Sequence, residues 1–63
     1  MVTYEIYGKY GTDKLESLLV SKINGDPIWS IPQAESIISY WKGKARDGML
    51  LEVRDWRIEK VIS

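Results

Sequence analysis

Tyr40-Trp41-Lys42-Gly43-Lys44-Ala45-Arg46 is the one stretch of this chain in which charged and aromatic residues fall at a spacing that chemistry could use. Three cations beside two aromatic rings are the components of a platform for single-stranded nucleic acid, with Tyr40 offering a ring face and Lys42, Lys44 and Arg46 the phosphate contacts. The same residues have a plainer explanation. Cations in the last turn of a helix complement its dipole and keep its end soluble, which accounts for all three without a ligand. With 9 basic and 9 acidic side chains the chain is formally neutral and lacks the wide basic footprint of such binders. Nucleic-acid binding is therefore the secondary expectation, and mimicry of DNA by an acidic surface is disfavoured on the same ground.

Catalysis has less to work with. The chain contains neither histidine nor cysteine, which removes the usual general base, the thiolate nucleophile and the commonest zinc ligands. The nine acidic residues are scattered through strand faces, caps and turns rather than set beside a nucleophile. Gly8-Lys9-Tyr10-Gly11 has neither the glycine spacing nor the following helix of a nucleotide-binding loop. These absences predict a non-enzymatic protein with no cofactor and no metal.

The aromatic load points elsewhere. Three tryptophans and four tyrosines are many for 63 residues. Trp41 and Trp56 fit a core, whereas Tyr7 falls on the strand face opposite Tyr4 and Ile6, and Tyr40 sits at the margin of the helix stripe described below. Exposed tyrosine near arginine is the composition of a binding hot spot. Tyr7, Tyr40 and Arg57 are accordingly the candidate protein-interface residues, and surplus apolar surface on so small a domain also suits a dimer seam. No apolar run approaches the roughly 20 residues a membrane span needs, and no basic segment leads into an apolar one at the amino terminus. The expectation is a soluble, cytoplasmic protein with no membrane partner.

Several elements must position these residues. Ser30 followed by Gln33 forms a capping box, with the serine hydroxyl accepting a first-turn amide and Gln33 reaching back to the Ser30 amide. Pro32 loses no hydrogen bond in that first turn. Trp29 can staple onto Ala34, and Ala34, Ile37, Ile38, Trp41 and Ala45 recur at steps of three and four as one apolar stripe. The spacing predicts a helix over 31–46, stopped by Asp47-Gly48. Val2, Tyr4, Ile6, Gly8 and Tyr10 alternate with polar positions, which predicts a strand over 2–10 closed by the turn Gly11-Thr12-Asp13-Lys14.

Residues 15–23 read two ways. As a helix, Leu15, Leu18, Leu19 and Ile23 share a face; as a strand over 17–23, Leu19 and Ile23 share one side and Leu18 and Val20 the other, and the strand is preferred. Asn24-Gly25-Asp26-Pro27 is a loop by composition. Over 49–62 the inward parity changes from Met49, Leu51 and Val53 to Trp56, Ile58 and Ile62, so a β-bulge or a tight turn is expected at Arg54-Asp55.

Tyr4-Glu5-Ile6-Tyr7, a polar turn, a short apolar run, Ile31-Pro32-Gln33-Ala34-Glu35 opening a helix, and a closing Trp56-Arg57-Ile58-Glu59-Lys60-Val61 strand occur in that order. This layout resembles the small strand-strand-helix-strand proteins of phages and prophages of Gram-positive bacteria, in which a helix opens on an alanine-glutamate step and the chain closes on an aromatic-Arg-Ile strand. The resemblance implies an accessory protein, since some of these bind and inhibit a host enzyme such as a polymerase or a DNA-repair glycosylase. Those inhibitors are typically strongly acidic, and this neutral chain departs from them. No functional residue carries over from the family.

The combined expectation is one α+β domain, β-β-α-β or β-β-α-β-β in order, with an antiparallel sheet from 2–10, 17–23 and 49–62 covered on one face by the helix. The stripe Ala34, Ile37, Ile38 and Trp41 would meet Tyr4, Ile6, Leu19, Ile23, Val53, Trp56 and Ile58. A 63-residue chain buries only about 60% of the surface it exposes unfolded, and with no disulfide or metal to help, dimerisation is the remaining source of added stability. The partner expected is a host or phage protein, bound without catalysis.

Overall fold

The computed structural model describes the backbone over residues 1–46 and 52–63, and side chains over 1–44 and 52–63. Six elements follow one another: β1 (Val2–Tyr10), β2 (Ser17–Val20), β3 (Lys22–Ile23), β4 (Asp26–Pro27), α1 (Ile31–Arg46) and β5 (Val53–Ile62). The first, second and fifth strands make an antiparallel sheet in the order β2-β1-β5, and β3 and β4 form a separate two-stranded ribbon. This is an α+β fold with the helix on one face of the sheet, as the apolar patterns require. No described helix is long and apolar enough to cross a membrane.

The helix starts where the cap predicts. The Gln33 amide donates to Ser30 Oγ at 3.2 Å, and the first helical backbone bond runs from Ala34 N to Ser30 O at 3.1 Å. The return arm of the box differs from expectation: Gln33 Oε1 accepts from the Trp29 amide at 2.9 Å, one residue before the cap. Trp29 is also not the buried staple. It is 49% exposed, and the fully buried residue ahead of the cap is Ile28. Ile28 is held there by a backbone bond from Tyr4 N to Ile28 O at 2.9 Å, an isolated bridge that draws the chain before the helix onto β1.

Strand formation settles residues 15–23, with two corrections to the simple alternation. Ile6 pairs with Val20 and Tyr7 with Leu18, so Leu19 is an extra residue at a bulge. A bulge lets two consecutive side chains serve one face, which is why Val20 is buried and Leu19 packs on the core together. The strand then breaks at Ser21. Ile23 belongs to the short β3-β4 ribbon and is 37% exposed, outside the core to which its parity assigned it. Of the segment read as a loop, Asp26–Pro27 is instead strand β4 and Asn24-Gly25 is the turn of that ribbon: both have left-handed φ, at 52° and 86°, the pattern of a type I′ turn that Asn-Gly favours.

At the other edge, the parity change at Arg54-Asp55 is a bulge, and β5 is one bent strand. Tyr7 pairs with Arg57 but Lys9 pairs with Arg54, which leaves one residue too many on β5. Asp55 absorbs it with φ 55°, a conformation that aspartate tolerates better than most side chains. Arg54 then ties the strand to the turn after β1, donating from Nε to Gly11 O at 2.8 Å and from Nη2 to Asp13 O at 2.5 Å. The expected strand residues 49–51 lie outside the described residues, as does the side chain of Ala45.

The core is small. Among the described residues Ile6, Val20, Ile28 and Ala34 are the buried hydrophobics, and Tyr4, Leu19, Ile37, Ile38, Trp41, Trp56 and Ile58 pack against them. Trp41 and Trp56 meet edge to face, centroids 6.1 Å apart at 84°, an arrangement worth about 0.5–1.5 kcal/mol beyond area burial. Gly8 is buried beneath both bulges, and a Cβ there would lie 2.7 Å from Val53 Cγ1 and 2.9 Å from Leu19 Cδ1.

Two outcomes follow for stability. Trp41→Ala removes a joint between helix and β5; Trp41 is half-buried, so the cost falls below the roughly 3–5 kcal/mol of a fully buried aromatic, and in a core this small it is still expected to abolish the cooperative thermal transition. An unchanged melting curve would show that the stripe does not face the core. Gly8→Ala gains about 0.4–1 kcal/mol from the unfolded chain but overpacks against Val53, whose branched side chain is stiff, at about 1–3 kcal/mol. Its urea midpoint is expected to fall; a rise would mean that Leu19 and Val53 yield freely.

Candidate functional site

The candidate residues separate onto two layers. Tyr7 and Arg57 are cross-strand partners on the open face of the sheet, where Tyr7 is also paired with Leu18. The Arg57 guanidinium stacks on the Tyr7 ring at 4.8 Å. It also grips Glu16 with both ends, Nη2 to Oε1 at 2.6 Å and Nε to Oε2 at 3.3 Å, and it contacts Glu59. Tyr7 donates its hydroxyl to Glu5 Oε1 at 3.1 Å.

These contacts set the local electrostatics. The hydrogen bond to Glu5 raises the Tyr7 phenol above its ordinary value, and partial burial and the Glu5 charge act the same way. The bonds from Arg57 hold the Glu16 carboxyl below the usual carboxylate range, while Glu16 and Glu59 raise Arg57 still further. The expected hot-spot pair is thus assembled, with Arg57 already engaged by two carboxylates of its own chain. A partner on this face would have to displace those contacts.

Tyr40 stands on the opposite layer, 63% exposed. Lys44 follows one helical turn later and places Nζ 5.4 Å from the Tyr40 ring centre. Lys42 is exposed on a different flank, since two residues turn a helix through about 200°. The basic stretch therefore does not form one face: Tyr40 and Lys44 are together, Lys42 is apart, and Arg46 ends the helix with its side chain outside the described set.

An open cleft of about 570 Å³ lies beside Tyr40, between the helix and the β3-β4 ribbon. Its apolar lining comes from Ile23, Ile37, Tyr40 and Trp41, and its polar lining from neutral groups such as Gln33 and Ser36. Sequence reasoning missed this site because it assigned Ile23, Ile37 and Trp41 wholly to the core. The available signal was the Asn24-Gly25 dipeptide, a hairpin mark that carries Ile23 up to the helix flank. Among the described residues, no three acidic side chains converge into a group that could hold a metal ion.

The Arg57–Glu16 pair has a definite pH signature. A carboxyl depressed in the folded state contributes stability fully above its unfolded value, about 4.3, and loses it as pH falls through the folded value. Glu16→Gln is therefore expected to lower the urea midpoint near neutrality, with the difference from wild type shrinking as pH falls below the ordinary carboxylate range and Glu16 takes up its proton. A difference independent of pH would show that the bridge carries no charge-linked stability. No family model matches this chain, and neither a curated protein nor a solved structure matches it.

Proposed function

We propose that this protein is a non-enzymatic binding module that acts on another protein through the cleft beside Tyr40. The observation that carries the reading is the 63% exposure of Tyr40 at the rim of a cleft whose floor is Ile23, Ile37 and Trp41. Tyrosine supplies large contact area at small entropic cost and is enriched at interface hot spots. Lys44 stands beside the ring, Nζ 5.4 Å from its centre. The complementary partner is a protein segment presenting apolar side chains, matched to the apolar, uncharged lining of the cleft. The layout shared with small phage proteins, some of which bind host enzymes, supports a host factor in the cytoplasm as the bearer of that segment.

The opposite layer is the weaker docking surface, because Tyr7 and Arg57 are satisfied within the chain. Nucleic acid is served less well still, since Lys42 and Lys44 project from different flanks and cannot track one backbone together with Tyr40.

A photoreactive benzoylphenylalanine placed at position 40, and in parallel at position 7, tests this in nuclease-treated bacterial lysate. Position 40 is expected to cross-link one protein at high salt, at a peptide containing apolar residues, and position 7 is not. Tyr40→Ala should weaken capture by about 30-fold, the scale of one hot-spot side chain. Cross-linking only from position 7, none from either, or capture that depends on nucleic acid and fades with salt would overturn the proposal.

A further inference from the structure

β5 is a ten-residue strand at the edge of its sheet, and among the described strands only β1 pairs with it. Its pairing pattern fixes which backbone groups face outward. Met1 and Ser63 exchange two hydrogen bonds, at 2.6 and 3.0 Å. Alternation along an antiparallel ladder then makes Thr3–Val61 and Glu5–Glu59 hydrogen-bonded pairs, and Tyr4–Lys60 and Ile6–Ile58 non-bonded ones. Tyr4 confirms the phase, since its amide turns away from β5 to Ile28 O at 2.9 Å. The amides and carbonyls of Ile58, Lys60 and Ile62 therefore point from β5 toward the open edge.

Exposed edges are usually guarded by charge, and here the charges do something more specific. The backbone alternation allows an antiparallel second copy to be centred on any residue of this arm; centres at Val61 or Ile62 bring no opposite side-chain charges together across the seam, and among centres at 57 to 60 the side chains discriminate. Centring on Arg57, Glu59 or Lys60 sets each of those charges against itself. Arg57 as centre also opposes Glu59 to Asp55 and Lys60 to Arg54. Centring on Ile58 instead puts Arg57 opposite the second copy's Glu59 and Glu59 opposite its Arg57, with Ile58 against Ile58; the guanidinium lies over Tyr7 and on Glu16 and Glu59 within one chain, so the seam pair adds to or exchanges with those contacts. Opposite charges directly across a strand pair are favourable and like charges unfavourable.

We infer that β5 pairs with a second copy of itself about a two-fold axis at Ile58, so that two sheets join into one of six strands. The contact is isologous, as a two-fold dimer requires, and it uses segment 56–60 up to the Asp55 bulge. It adds strand pairing to a small domain, as oligomerisation does for chains of this size. The edge is separate from the Tyr40 cleft and leaves that cleft open.

Sedimentation of the full chain over a concentration series, combined with paired charge reversals, tests the register. Wild type is expected to run at twice the mass of one chain and to dissociate on dilution. Arg57→Glu and Glu59→Arg are each expected to run as monomers, because each opposes like charges across the axis. Mixed in equal amounts they should recover the doubled mass. The Arg57→Glu chain, acidic at both positions, then faces the Glu59→Arg chain, basic at both, while neither chain's internal pairs are repaired. Circular dichroism checks that both variants fold. If one does not, Lys60→Pro takes its place, removing an outward amide with no like-charge opposition, and is expected to be monomeric. A wild type that stays monomeric at all concentrations, single variants that still dimerise, or a mixture that fails to reassociate would each overturn the inference.

Discussion

The space above Gly8 is the constraint on which the rest of this structure depends. Two neighbouring strands each carry an extra residue, Leu19 on β2 opposite Ile6-Tyr7 and Asp55 on β5 opposite the Tyr7–Lys9 step, so both irregularities fall within residues 6–9 of β1. Leu19 and Val53 fill the volume that a Cβ would occupy. The bulges turn Leu19 with Val20, and Val53 with Trp56, toward the same side, which gives the helix a continuous apolar surface from strands too short or too charged to offer one by plain alternation. A domain with four buried hydrophobic side chains among its described residues has little room for error.

That device also determines the two faces. The helix side holds the aromatic pair Trp41 and Trp56, while the open side holds a network in which Arg57 links Tyr7, Glu16 and Glu59. On the open face Arg57 is engaged by Glu16 and Glu59 and Lys9 by Asp55, whereas apolar contact area is exposed on the helix flank, around Tyr40.

Most of the architecture was legible because local and global preferences agree. The Ser30 cap, the three-four spacing through Trp41 and the alternation of β1 each specify one element, and the parity change at Arg54-Asp55 locates the second bulge. The misreadings share a cause in tertiary contacts that leave no periodic trace. In a four-residue strand one extra residue erases alternation, so Leu19 and Val20 could not both be placed inward. Ile28 lies between a proline and a tryptophan in a segment with turn composition, and only its backbone bond to Tyr4 makes it core. At the candidate sites, the Tyr40–Lys44 contact follows from helical spacing, whereas the Tyr7–Arg57 contact depends on a strand register fixed fifty residues away.

The central strand meets its two neighbours at very different distances along the chain. β2 follows β1 after a short turn, but β5 lies beyond the ribbon and the whole helix. On a ribosome, β1 would emerge with one edge soon covered by its hairpin partner and the other bare until the last strand is delivered. The helix, whose apolar stripe needs Trp56 and Ile58 as much as Ile6, would wait as well. Completion of the fold is then tied to the arrival of the final strand rather than growing steadily with chain length. A ribosome stalled between the helix and β5 would release a hairpin with an open, tyrosine-rich edge and no cover.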